Sequence, residues 1–163
     1  MSELSIRWAT PTLDIYLADV STDLQLPFAC EGVSAGFPSP ASDYLDLTID
    51  LNRELVDNPD STFYARVKGC SMQGAGIQNG DVLVVDRSLT AQADDIIVAF
   101  LNGEFTVKRL QFAHATCLLI PANQDYPQIQ IQPEDDFRVW GVVTYVIKNV
   151  REGGRKGKWV SMR

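Results

Sequence analysis

Downstream of Ser61 the chain breaks into short runs in which apolar side chains recur at every second position or without interruption. "TFYARVK", "DVLVVD", "DIIVAFL", "EFTVKRL", "ATCLLI" and "RVWGVVTYVI" are rich in β-branched and aromatic residues and are bounded by Gly, Pro, Asn and Asp. That pattern predicts strands. Asn102-Gly103 in "FLNGEF" predicts a two-residue type I′ hairpin, because both central positions of that turn need positive φ. Upstream, "DLNRELVDNP" predicts one short helix. Asp50 is its N-cap, Leu51 and Leu55 share a face, and Asn58-Pro59 ends it. The first 36 residues hold no sustained period and are punctuated by Pro11, Pro27, Gly32 and Gly36. They read as an arm able to add a strand or two to another surface. The expected fold is mainly β: an arm over residues 1–35, a compact β-rich domain over 36–150, and a basic, flexible tail over 151–163.

Composition narrows the function classes. The chain has 163 residues, 45% of them hydrophobic and 21% charged, enough for one packed domain with an arm and a tail. Its net charge of −7 is uneven: residues 1–150 carry −11 and the last thirteen +4. An acidic body is repelled by a phosphate backbone, so no direct sequence-specific DNA binding is expected. Cys30, Cys70 and Cys117 form neither a CxxC pair nor a disulfide framework, and the N-terminus carries no secretory pattern. The longest apolar run, "IIVAFL", is too short to cross a bilayer. A cytoplasmic protein with no membrane association is expected. One histidine and three scattered cysteines supply no metal cluster, and "GAGIQNG" matches neither a P-loop nor a dinucleotide fingerprint, so no cofactor is expected.

The chemistry turns on "KGCSMQGAGIQNG", which places Ser71 between a strand and a glycine-rich loop. A serine there can be a turn former, a helix cap or a nucleophile. The single histidine, His114 in "QFAHATCLL", would have to serve any Ser-His-Asp arrangement. A lone histidine at a strand junction is commonly a surface residue, and no Gly-x-Ser-x-Gly elbow surrounds Ser71. Lys68 lies on the preceding strand and points away. Lys108 lies mid-strand in "EFTVKRL", where alternation puts Thr106, Lys108 and Leu110 on one face. A lysine buried there loses hydration, its pKa falls, and the neutral amine can act as a general base. Thr106 is a candidate to orient that amine. Most strand lysines simply extend to water, and spacing alone leaves both readings open.

"GCSMQGAGIQNGDVLVVD" followed by "GEFTVKRLQ" resembles the self-cleaving LexA/UmuD family. With "GFPSPASDY" and "IDLN", the chain resembles its UmuD-like members from about Ala35 to Lys148. The resemblance implies Ser71 as nucleophile, Lys108 as general base and the backbone N–H groups of Cys70 and Ser71 as oxyanion donors. It also implies a substrate within the same chain, the Ala35–Gly36 bond of "VSAGFPSP". It further implies a homodimer, stimulation by a RecA–single-stranded DNA filament, and partnership of the shortened product with a UmuC-type DNA polymerase in translesion synthesis.

Three features depart from the pattern. Cys70 stands where UmuD-like sequences usually carry Asp, and the basic tail runs past the usual end. The N-terminal arm is somewhat longer than in UmuD-like members, though far too short for a LexA-type DNA-binding domain. A non-catalytic dimeric binding module is the competing reading from another class. A LexA-like repressor would need a recognition helix, which residues 1–35 do not suggest. Late residues of "RVWGVVTYVI" are candidates for a shared edge between protomers.

Overall fold

The runs downstream of Ser61 fold as expected, and the segment upstream joins them. The computed structural model describes residues 6–21, 25–28 and 47–151. The strands are β1 (Ile6–Ala9), β2 (Leu13–Leu17), β3 (Gln25–Phe28), β4 (Leu47–Asp50), β5 (Thr62–Val67), β6 (Val82–Asp86), β7 (Ile96–Leu101), β8 (Glu104–Ala113), β9 (Thr116–Ile120), β10 (Ile129–Gln130) and β11 (Phe137–Ile147). Nine of them form one sheet in the order β1-β2-β5-β6-β11-β7-β8-β9-β10, and β3 pairs with β4 in a second. Every pairing is antiparallel. The protein is mainly β.

The period of two explains how the core divides. Successive side chains on a strand face opposite sides, so one strand can feed two cores. Val98 joins the cluster built on Leu13, Ile15, Phe63, Leu83 and Val107, whereas its neighbours Ile97 and Ala99 join Leu110, Leu119 and Val142. The hairpin at Asn102-Gly103 forms with φ of +49° and +92°, the signs a type I′ turn requires. The short helix α1 (Leu51–Leu55) begins at Asp50, whose carboxylate accepts the Asn52 N–H at 3.0 Å. None of its five residues is buried, but its C-cap Val56 is, at 6% exposed.

The first two strands belong to the main sheet. β2 pairs with β5 from Leu13↔Val67 to Leu17↔Phe63, and Leu13 and Ile15 are 0% exposed. β3 and β4 pair as Gln25↔Asp50 through Phe28↔Leu47, which brings together the two ends of the intervening stretch 29–46. Ala35 and Gly36, and the basic tail from residue 152, lie outside the described residues. Among the described residues no helix is long and apolar enough to cross a membrane. β11 pairs with β7 over Phe137–Val142 and with β6 over Val142–Ile147. From Tyr145 to Ile147 the edge away from β6 therefore has no strand partner among the described residues.

Candidate active site

Ser71 follows β5 on a loop that turns at once into a 3₁₀ turn, Gln73–Ala75, and Met72 anchors that loop by burial in the core. Lys108 comes from the middle of β8, 37 residues on. Its Nζ lies 3.1 Å from Ser71 Oγ, 2.7 Å from Thr106 Oγ1 and 3.0 Å from the Val107 carbonyl oxygen. A neutral amine has two N–H donors and one lone pair. In the neutral form, donation to Thr106 and Val107 uses both donors and leaves the lone pair for the Ser71 hydroxyl; in the protonated form a third N–H donates to Ser71 Oγ. The residue is 6% exposed, and burial pushes its pKa below the usual lysine value. Among the described residues no carboxylate pairs with Lys108 to hold its charge.

The two other bases weighed for Ser71 are elsewhere. His114 occupies the exposed turn between β8 and β9, at φ +49°, and makes no bond to Ser71. Lys68 points outward, with Nζ 2.6 Å from Asp14 Oδ1. Cys70 is exposed next to the nucleophile, its Sγ 3.4 Å from the Tyr126 hydroxyl. The amides of Cys70 and Ser71 donate to no group among the described residues, which leaves both N–H groups available to a ligand.

Ser71 and Lys108 open into a cleft of about 410 Å³ whose other walls include Thr12, Tyr126 and Ile129. These three were not singled out in the sequence. Thr12 arrives because the β1–β2 turn crosses the cleft and its hydroxyl donates to the Phe105 carbonyl. Tyr126 arrives because "PANQDYP", a turn-rich run after β9, folds back on the nucleophile loop. There Ala122 N–H donates to Ser71 O at 2.9 Å and Asn123 Nδ2 to Cys70 O at 2.9 Å. Turn composition marks such a run as a loop without saying where it lands.

Residues 27–144 match the Peptidase S24-like family. The chain is 46% identical over 121 residues to Protein MucA of Salmonella typhimurium, covering 74% of this chain and 82% of that protein. It is 43% identical over 126 residues to Protein ImpA of Shigella flexneri, covering 77% and 86%. To Protein SamA of Salmonella typhimurium it is 42% identical over 125 residues, again 77% and 86%. MucA, ImpA and SamA are UmuD-like proteins of the LexA/UmuD family.

Proposed function

This chain belongs to the Peptidase S24-like family of self-cleaving serine peptidases, and on that premise we propose that Ser71 and Lys108 cut the chain's own Ala35–Gly36 bond. The observation that carries the proposal is a buried lysine, paired with no acid among the described residues, 3.1 Å from the serine oxygen. Ser71 Oγ attacks the Ala35 carbonyl carbon while Lys108 Nζ takes its proton. The N–H groups of Cys70 and Ser71 hold the oxyanion. Lys108 returns the proton to the Gly36 nitrogen as the C–N bond breaks, and water releases the acyl group from Ser71. Cleavage severs the 1–35 arm from a 36–163 product. Tethering favours the reaction, since an intramolecular substrate has a high effective concentration when docked. The β3–β4 pair supports this by closing the stretch that contains Ala35–Gly36.

The proposed setting is a cytoplasmic DNA-damage response. A RecA–single-stranded DNA filament stimulates the cut, and the product serves as accessory subunit of a UmuC-type translesion polymerase. The proposed active form is a homodimer. The edge of β11 that has no strand partner among the described residues, with its exposed Tyr145, Val146 and Ile147, supports that assembly, because an open apolar edge favours pairing with a second copy. The test incubates the purified full chain with an activated filament and reads intact mass and the new N-terminus. A fragment beginning at Gly36, absent in Ser71→Ala and Lys108→Ala, is expected. A different new terminus would overturn the substrate assignment.

A further inference from the structure

Asn123 touches neither the cleft nor Lys108, yet its amide is aimed at the backbone of the nucleophile loop. It lines an adjoining hollow of about 590 Å³ with Gly74, Ala122 and Tyr126, the last of which also lines the cleft. Its Oδ1 accepts the Asp125 N–H at 3.0 Å, which fixes the amide plane and turns Nδ2 towards Cys70 O, 2.9 Å away. Cys70 O also accepts the Gln73 N–H at 3.2 Å, so both its lone pairs are engaged. The segment carrying Asn123 is itself anchored at two backbone points. Gly74 N–H donates to Ala122 O at 2.6 Å, and Ala122 N–H donates to Ser71 O at 2.9 Å. A Cβ on Gly74 would stand 2.5 Å from Ala122 O, so this approach requires glycine.

The consequence follows from peptide planarity. The Cys70 carbonyl and the Ser71 N–H belong to one trans peptide unit and point in opposite directions. Holding the carbonyl from behind aims the N–H forward. That N–H makes no bond among the described residues and lies beside the Ser71 hydroxyl. We propose that Asn123 is a positioning residue for self-cleavage, which through Cys70 O fixes the Ser71 N–H as an oxyanion donor. The inference rests on the self-cleavage reading above, and it assigns to the β9–β10 connection a part in transition-state stabilisation. An oxyanion donor is effective only when it is fixed before charge develops, so an amide free to rotate loses much of its value.

The test measures self-cleavage of the full chain against pH for the wild type, Asn123→Ala, Asn123→Asp and Asn123→Gln. Asn123→Ala is expected to lower the plateau rate by on the order of 10- to 100-fold, the scale of a misaimed catalytic group. The midpoint of the pH profile is expected to stay put, because Lys108 keeps all its contacts. Asn123→Asp has no N–H to donate and should be as slow, whereas Asn123→Gln retains a donor and should recover part of the rate. Amide exchange in the uncleavable Ser71→Ala chain provides a second readout. Asn123→Ala there should speed exchange about fivefold, the worth of one ordinary hydrogen bond, at the Gln73 and Ala122 amides, which donate to Cys70 O and Ser71 O, with β5 and β6 unchanged. Asn123→Ala cleaving at the wild-type rate, a shifted midpoint, or unchanged exchange at Gln73 and Ala122 would overturn the proposal alone. A wild-type chain intact at every pH would overturn the self-cleavage reading and this proposal with it.

Discussion

The N-terminal strands and the Ser71–Lys108 junction attach to the same sheet by opposite means. β2 is held by what it hides: Leu13 and Ile15 are fully buried in the cluster that contains Phe63, Leu83 and Val107. Lys108 is held by what it bonds, with three polar atoms within 3.1 Å of one nitrogen. Apolar burial tolerates small shifts and resists salt and pH, whereas a polar cluster depends on geometry and protonation. In the proposed reaction, severing the chain and releasing the arm are therefore separate events. One is governed by the lysine, the other by two aliphatic side chains and a strand ladder.

The largest effect expected is on the junction. Ser71→Ala and Lys108→Ala should each slow cleavage by at least roughly 1000-fold, since nucleophile and base act as a unit. Lys108→Arg should be equally inactive, because guanidinium stays protonated at any accessible pH. His114→Ala should cut at the wild-type rate. All four are read by densitometry of intact and cut chain over time. Self-cleavage by the Lys108→Ala protein would sink the proposed base.

The next effect concerns the arm. Leu13→Ala removes a fully buried side chain and should destabilise the domain by about 2–5 kcal/mol, measured by urea denaturation of the Ser71→Ala chain. A loss near zero would mean that β2 unfolds independently of the body. The same burial predicts that, after cleavage, residues 1–35 co-elute with 36–163 on native size exclusion and separate in denaturant. Free 1–35 under native conditions would show that the β2–β5 and β3–β4 ladders do not outlast the covalent link.

A smaller effect separates the regions by pH. Burial lowers the Lys108 pKa in the folded state, while the unfolded value is near 10.4. Between the two, the unfolded chain binds more protons, so stability rises with pH across that window and Lys108 costs most below it. Cleavage should likewise speed up as pH climbs through the folded pKa and then level off. Lys108→Met should flatten the stability slope and raise the melting temperature at neutral pH. Retention of the arm should be indifferent to pH over the same range.

The two regions also differ in how much of each could be read from the chain. Strands β5 to β9 announce themselves by period two and turn residues, and the Asn102-Gly103 hairpin fixes the register that faces Lys108 towards Ser71. The Ser-Met and Thr-Val-Lys motifs supplied the rest of that pair. In the arm the signal was present but short. "LDIYL" alternates over Leu13, Ile15 and Leu17, yet five residues between Pro11 and a polar stretch do not establish a strand. β10 spans two residues and carries no period at all. Asn123 was illegible for another reason: its contact joins a side chain to a main-chain oxygen 53 residues away, and no residue pattern records that.

The smallest expected effect is the most direct test of how the arm is held. Lys68 and Asp14 make the one ion pair between β2 and the end of β5 among the described residues, at 2.6 Å, with the lysine side chain 41% exposed. A pair open to water on one side contributes about 0–1 kcal/mol and is screened by salt. Asp14→Asn keeps the side-chain shape, and Lys68 Nζ still has the Thr10 carbonyl at 3.1 Å. The substitution should therefore lower stability by no more than about 1 kcal/mol, and 1 M salt should do no more. If the arm were held by charge, Asp14→Asn or high salt would free 1–35 from the cleaved protein. If it is held by Leu13 and Ile15, co-elution should survive both treatments and fail only in Leu13→Ala. Release of the fragment by Asp14→Asn would reverse the contrast and make the arm a salt-dependent clasp.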